Sequence, residues 1–425
     1  MVSYDITANL ARFLDPHMSV EVLSFLSERE VYDQDSVRNA MLNVVSKTKM
    51  IGLQAELEGK SEPDAAKKQQ VLADIQAATE KAGKLIKLLS QPEFVANLEQ
   101  NQPNLLTLAD EYDVRAEDVE ALADLAQLRY ATGNYGASTA QLLHFYRLLT
   151  RNAERKARAA WGKLAVEIMS ARWKDAAAEI SKVKALIEKT PMSAAAKLQQ
   201  RSCLMHWSLF VWFNSTDGKG RQSLIDQFFL DKFNLHTIQV LCPWLLRYLL
   251  AAVVLESRRP LFFELSKYID NEEYAYSDPL LDFCRLLVVE CDHAAALQAL
   301  EKCESVLAND FFLSHLASQF VSKARLVFAA QLLSVHERMT ITELEEKLGE
   351  VADLEGLLKD LERFNLYARI DEQNGVIRLQ QSGYSVVRRI QEKTRHVTRG
   401  TPPLMGMLKK RVAEQKALRS AKKEE

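Results

Sequence analysis

Eight histidines, five cysteines and a GKG segment are the residues from which this 425-residue chain could build a chemical activity. Metal-assisted hydrolysis needs ligands at H-E-x-x-H spacing, and acyl transfer in hydrolase folds needs a G-x-S-x-G elbow. Neither pattern occurs. The histidines do not cluster, and His206 lies in an aromatic run, HWSLFVWFN, where it reads as a core histidine with satisfied nitrogens. Cys203, Cys242, Cys284, Cys291 and Cys303 are odd in number, widely spread and without a C-x-x-C pair. They are expected to be reduced thiols rather than disulfides or a zinc site. Cys242 precedes Pro243 and reads as a buried thiol, not a nucleophile. Asp310, in ANDFFL, reads as a helix cap because no partner for a general base is evident. NSTDGKGR, at 214–221, lacks the spacing and the preceding strand of a phosphate-binding loop, so it is expected to be a plain connection. No catalytic, metal or cofactor site is expected, and the chain is read as a non-enzyme that works by binding other proteins.

The composition constrains the elements. Hydrophobic residues at 48% and charged residues at 26% describe a folded chain. Only 14 glycines and 10 prolines disfavour a turn-rich β fold and favour helices with short connections. The start, MVSYDITANLARFLD, lacks the apolar run of a secretory leader. The most apolar stretch, at 243–255, is too short for a membrane span of about 20 residues and carries Arg247, so it is expected to be a core helix. No membrane association is expected, and a cytoplasmic location with a nuclear pool fits these features. Trp161, Trp173, Trp207, Trp212 and Trp244 all sit in apolar helical contexts and read as core.

Residues 1–60 place Ile6, Leu10, Phe13 and Leu14, then Val22, Leu23, Phe25 and Leu26, at helical spacing. Residues 61–91 read as one long polar helix with a thin stripe (Val71, Ile75, Leu85, Leu88), expected on the surface or against a partner. From about 105 a phrase recurs: a helix, a short polar turn, and an Ala-rich helix returning. It appears at 130–149, 168–187 and 286–307. Small residues just after each turn (Gly136 and Ala137; Ala176 and Ala177; Ala294 and Ala295) would let the paired helices approach closely. Such pairs resemble tetratricopeptide repeats, which stack because one pair cannot bury its apolar face alone.

The texture changes near residue 336. Thr340 and Glu343 form a capping box for a helix, ITELEEKL, that Gly349 ends, and a second helix follows at 353–364. YARIDEQNGVIRL, 367–379, reads as a hairpin turning at Asn374-Gly375 in a type I′ turn. Two helices and a wing make a winged helix, with Leu344, Leu348, Leu357, Leu361, Ile370 and Ile377 as its expected core. Residues 341–364 hold eight acidic side chains against three basic ones, which would repel a duplex and point to protein binding. Residues 385–425 reverse this, with twelve basic and four acidic residues. Leu404, Leu408 and Val412 recur there at helical spacing and are expected to form an assembly stripe. Arg388, Arg389, Lys393, Arg395, Lys409, Lys410 and Arg411 form a basic set suited to lie near RNA or an acidic partner. The fold class expected is all-α: a right-handed helical-repeat (TPR-like) solenoid, then a winged-helix module with a small β-hairpin, then a C-terminal helix. The expected divisions are 1–104, 105–214, 215–392 with the winged helix at 336–380, and the basic tail at 393–425.

Helical repeats followed by a winged helix resemble PCI domains. YDITANLARFLDPHMSVEVLSFL (4–26), WGKLAVEIM (161–169), HWSLFVWFN (206–214), CPWLLRYL (242–249), YAYSDPLLDF (274–283), CESVLANDFFL (303–313) and IQEKTR (390–395) narrow the resemblance. In this order they are similar to the family of E subunits of eukaryotic translation initiation factor 3; residues 50–105 and those after Arg399 match it poorly. The resemblance implies a cytosolic scaffold in a multi-subunit factor that binds the 40S ribosomal subunit and promotes recruitment of mRNA and initiator tRNA. It also implies that the other subunits of that factor are partners, joined through winged helices and a bundle of C-terminal helices. A PCI subunit of the proteasome lid or COP9 signalosome, or a nucleic-acid-binding regulator, are the other readings. HWSLFVWFN and CESVLANDFFL argue against the first of these.

Overall fold

Helices begin where a side chain accepts the N–H groups that a first turn cannot satisfy. Asp15, Asp33, Asp64, Asn152, Ser193, Asp231, Asp278 and Asp292 each do so for the helix that follows. These starts are taken from a computed structural model, which describes residues 4–30, 32–60, 64–101, 112, 114–150, 152–215, 218–336, 338–348, 368–371 and 375–379. It also describes positions 390, 391, 393, 394, 397, 398, 401, 405–408 and 411. The chain divides into two units, residues 1–324 and 325–425.

In the first unit α1 (Thr7–Ala11), α2 (Pro16–Glu28), α3 (Gln34–Val45) and α4 (Ile51–Leu57) precede the long α5 (Ala65–Leu89) and α6 (Pro92–Asn101). The repeats run through α7 (Ala116–Ala131), α8 (Ala137–Leu149), α9 (Ala153–Met169), α10 (Trp173–Lys189) and α11 (Ala194–Asn214). They continue with α12 (Gly220–Ile225), α13 (Lys232–Leu241), α14 (Leu245–Leu255), α15 (Arg259–Asn271), α16 (Pro279–Arg285) and α17 (His293–Ala308). From α7 to α11 each helix packs on the next, and α14 packs on both α15 and α16. That neighbour-by-neighbour packing is what a helical solenoid requires. All eleven residues of α14 are buried, Arg247 included.

Four details differ from the sequence reading. First, α5 is covered by its own chain: Ala78, Ala82 and Leu85 are buried against α7. Alanines supply this contact, and a stripe counted only in large side chains overlooks them. Second, the close approach between paired helices falls deeper than the turn. Of the small residues expected there Ala176 is buried, but Gly136, Ala137 and Ala294 are exposed, and in those two pairs Thr139, Ala140, Ala296 and Ala299 are buried instead. Residues beside the cap sit at the hairpin tip, and the returning helix meets its partner only within its first turn. Third, α12 and α16 run on into π-helical segments, Asp226–Leu230 and Leu286–Glu290, which the sequence reading did not anticipate. Fourth, the tryptophans are half-buried rather than core. Four of them turn the indole N–H to an acceptor: Trp161 to Gln200, Trp207 to the Phe13 carbonyl, Trp212 to Gln227 and Trp244 to His206. An indole packs its body and keeps its polar edge where a partner can be found.

The helix α18 (Ala317–Val335) leads into the second unit, which contains β1 (Arg338–Thr340), α19 (Ile341–Leu348), β2 (Ala368–Asp371) and β3 (Val376–Leu379). The capping box is formed in both directions. The Thr340 N–H donates to Glu343 Oε2 at 3.0 Å, and the Glu343 N–H donates to Thr340 Oγ1 at 3.3 Å. The hairpin gains a third strand that the sequence reading missed, giving an antiparallel sheet in the order β1-β3-β2. Its turn also differs. Asp371 pairs with Val376, leaving residues 372–375 between the strands instead of a two-residue turn. This register sets Ile370 opposite Ile377, whereas a turn at Asn374-Gly375 would set Glu372 there. Keeping apolar residues in one row overrides the local turn preference. Gly375 keeps a positive φ of 59° and its carbonyl accepts the Ile341 N–H at 2.9 Å.

Gly220, at the start of α12, is held for steric reasons, and residues 216 and 217 of the connection expected at 214–221 lie outside the described residues. A Cβ at Gly220 would stand 2.2 Å from the Trp212 carbonyl oxygen, whereas one at Gly83, inside α5, would meet nothing within 4 Å. Gly220→Ala should therefore cost roughly 3 kcal/mol, and Gly83→Ala should gain about 0.5–1 kcal/mol from helix propensity. Urea unfolding of the two variants beside the parent checks both signs.

Candidate functional site

Asp310 has the partners that the sequence did not reveal. Arg247, in the middle of α14, donates from Nε to Asp278 Oδ2 at 2.7 Å and from Nη1 to Asp310 Oδ2 at 3.2 Å. Its Nη2 donates to the Tyr4 carbonyl at 2.7 Å. The Tyr248 hydroxyl donates to Asp310, and the Tyr276 hydroxyl donates to Asp278. Both carboxylates also accept backbone N–H groups: Asp278 from Leu281, Asp310 from Phe312 and Leu313. Asp310 is thus a cap and a buried counter-ion together. Burial pushes the Arg247 guanidinium down, but the carboxylates, Asp278 first, outweigh it and hold the group charged. The side chains of Arg247, Asp278 and Asp310 are at most 2% exposed. This cluster holds α14, α16, the turn after α17 and the N-terminal segment in one place. It contains no nucleophile beside a base.

His206 is a satisfied core histidine. Its Nε2 accepts the Trp244 indole N–H at 3.0 Å, which assigns the proton to Nδ1, 2.7 Å from the Ser202 carbonyl. Phe13 of the N-terminal segment stacks on the ring at 4.6 Å. Burial holds the imidazole down at about 4, opposed by the bond to Ser202. Cys242 lies fully buried with its thiol pushed up to about 12 by burial, so it is no nucleophile. Among the described residues no group of histidine, cysteine, aspartate or glutamate side chains is arranged to hold a metal ion. Among them, too, no helix is long and apolar enough to cross a membrane.

Two further polar clusters brace the repeats. Glu179 on α10 accepts from Arg147 of α8 at 2.7 Å, Lys163 of α9 at 2.9 Å and Lys182 at 2.7 Å. Burial pushes its carboxyl up, yet the bonds from Lys182, Lys163 and Arg147 prevail and hold it at about 2. At the start of α2 the Tyr130 hydroxyl donates to Asp15 at 2.8 Å, and His17 Nδ1 lies 2.7 Å from the Tyr135 hydroxyl. The sequence showed Tyr135 only as part of a repeat turn.

In the winged-helix unit Leu344, Ile377 and Met339 are buried, and Ile370 stands opposite Ile377 in the ladder. Leu348 lies in α19. Leu357 and Leu361 fall outside the described residues, as do Leu404 and Val412 of the tail stripe. Leu408 is helical and exposed, with Met405, Met407 and Val397. Of the basic set, Lys393 and Arg411 are helical and exposed, and Arg388, Arg389, Arg395, Lys409 and Lys410 lie outside the described residues. Sequence reading missed one charged feature. The register places Arg338, Arg378 and Arg369 in a single cross-strand row, a fact visible only once three strands are aligned.

The N-terminal part of this framework matches the family model described as eIF3 subunit 6 N terminal domain, over residues 5–129. The E subunit of eukaryotic translation initiation factor 3 from Pyricularia oryzae is 34% identical over 428 residues, covering 93% of this chain and 94% of the relative. Its counterpart from Sclerotinia sclerotiorum is 32% identical over 413 residues, covering 92% and 90%. The chain belongs to the family of E subunits of eukaryotic translation initiation factor 3. The Drosophila persimilis member, 30% identical over 421 residues, covers 97% of this chain, so the relation to this family runs through both units. The 5–129 match begins beside Tyr4, a partner of Arg247, and ends beside Tyr130, a partner of Asp15.

Removing the cation from the Arg247 cluster would strand two buried carboxylates. Arg247→Met is expected to cost about 3–5 kcal/mol in denaturant unfolding, well beyond the loss of one exposed ion pair. A second expectation concerns pH. His206 is neutral in the fold at about 4, against 6.5 ordinarily. The unfolded chain therefore binds the extra proton between these values. Stability from the neutral ring is complete above 6.5 and is lost as pH falls towards 4, by roughly 2–4 kcal/mol. Burial lowers His17 as well, so it contributes in the same direction. His206→Gln should flatten the stability–pH slope in that window, measured by urea melts from pH 7 to 4.

Proposed function

We propose that this chain is a non-catalytic scaffold subunit of the multi-subunit translation initiation factor 3, assembled through its PCI region. The observation that carries the reading is similarity to E subunits of that factor along more than nine-tenths of the chain. A repeat framework joined to a winged helix supports it, since such a framework offers broad surfaces and no reaction centre. Within the described sheet, β2 and β1 are edge strands, and an edge strand can accept a strand from a neighbouring subunit. The exposed helical residues Met405, Met407 and Leu408 suit a shared helical bundle, and the sequence spacing of Leu404, Leu408 and Val412 supports it.

The factor as a whole would bind the 40S ribosomal subunit and promote recruitment of mRNA and initiator tRNA, in the cytoplasm. The basic tail would lie close to RNA there, a role that its charge supports. Direct nucleic-acid regulation is the weaker reading, because residues 341–364 hold eight acidic side chains against three basic ones, although the second helix expected at 353–364 lies outside the described residues.

Deleting residues 385–425 should release the protein from initiation-factor subunits in a tagged pull-down read by mass spectrometry. The repeats should keep their helical circular dichroism and their melting transition. Unchanged recovery of the partners would remove the assembly role of the tail, and recovery of proteasome-lid subunits instead would overturn the assignment.

A further inference from the structure

The apolar residues left exposed in the first unit are concentrated along α13. Leu230 ends the π-helical segment before it, and Leu230, Phe233 and Val240 are 60%, 65% and 58% exposed. Phe233, the exposed His236 and Val240 recur every three or four residues along one face of α13, about 10 Å long, with Leu241 beside Val240 and Leu230 just ahead of the extended N-cap Asp231. Leu235 and Ile238 occupy the other face and are buried. Tyr274 is 100% exposed just beyond α15, whose end is tied to α13 by the Gln239–Glu272 hydrogen bond. An apolar stripe of this length on a folded surface marks an interaction site.

Charge says what kind. At the N-terminal end of the stripe, Arg201 lies over the Phe233 ring at 5.1 Å, and Lys184 pairs with Asp231 at 2.7 Å. Lys197 reaches the Glu188 carbonyl beside Arg201, and Lys189 and Lys232 are exposed. Cations therefore outnumber Glu188 and Asp231 at this end. At the other end stand the acidic Asp270 and Glu272. The Arg201 guanidinium already occupies one face of Phe233, and Leu230, Val240 and Leu241 are aliphatic, so most of this surface gives a base no ring to stack on. A π-helical segment that turns Leu230 outward, directly before the stripe, fits the frequent placement of such segments at functional sites.

We infer that the outer face of α13 docks an amphipathic helix of another protein subunit. That helix has about three turns, an apolar stripe at i, i+3/i+4 and i+7, acidic residues over Lys184, Lys232 and Arg201, and basic residues over Asp270 and Glu272. The inference rests on the scaffold-subunit reading above but uses a surface separate from the winged helix and tail. The bipolar charge fixes the direction of the docked helix, and Phe233, the large ring of the stripe, anchors its N-terminal end.

The test uses the full chain within its native complex, with a benzophenone side chain at Val240. Photolysis and peptide mapping should give a cross-link to one segment of another subunit that carries the apolar spacing and an acidic end. Cross-links confined to RNA or to a second copy of this chain, or none in an intact complex, overturn the inference. Phe233→Asp, with the benzophenone kept at Val240, should abolish that cross-link while the tail still carries the chain into the complex and melting shifts little. A synthetic peptide of the mapped segment should bind Lys184→Glu/Lys232→Glu about tenfold more weakly than the parent, and equal binding also overturns the charge assignment. A chain that never enters the complex would instead defeat the scaffold-subunit reading, so the two failures are told apart.

Discussion

The Arg247 guanidinium is the constraint around which the first unit is arranged. A buried charge is tolerated only when it is paired and hydrogen-bonded, and here two carboxylates and a backbone carbonyl take one N–H from each guanidinium nitrogen. Each acceptor belongs to a different piece of chain: the cap of α16, the turn after α17 and the segment before α1. Apolar residues could fill the same space in many arrangements, but a guanidinium fork accepts few. The cluster therefore fixes which helices are neighbours and at what angle, while the surrounding leucines and phenylalanines supply most of the driving force.

The same logic extends outward through aromatic and polar contacts. Phe13 stacks on His206, its carbonyl accepts from Trp207, and Phe25 meets Phe311 edge-on at 5.6 Å. Asp15 and His17 reach the other way, to Tyr130 and Tyr135. The N-terminal helices thus tie an early repeat to a late one. A solenoid whose repeats touch only their neighbours could open one joint at a time. These cross-ties join joints that are far apart in sequence, and the Glu179 cluster locks three adjacent helices between them.

Much of this was legible in the sequence where the cause is local. Thr340 and Glu343 announced their capping box because both partners lie within one turn. Residues 243–255 announced a core helix because they are apolar on every side. The long α5 was visible as a helix, but its packing was not, because Ala78 and Ala82 carry no hydrophobic signal beyond their smallness. Arg247 was visible as an oddity in an apolar run. Its partners were not, since nothing in the spacing of Asp278 and Asp310 points to residue 247. The third strand and the hairpin register escaped for a related reason: a three-residue strand has too short a pattern, and its pairing is chosen by Ile377 and Met339 in space.

The tie between Tyr4 and Arg247 also bears on how the chain is made. Helices α1 and α2 emerge first, yet the surfaces that cover Phe13, Phe25 and the Tyr4 carbonyl include residues 206, 247 and 311. At roughly 5–20 residues per second, synthesis leaves those apolar side chains without their partners for on the order of 15–60 s. A nascent chain therefore carries an uncovered hydrophobic segment until about three-quarters of its length has been translated. The ribosome-bound chain is a natural client for a holding chaperone, and α1 and α2 are the segment such a chaperone would shield.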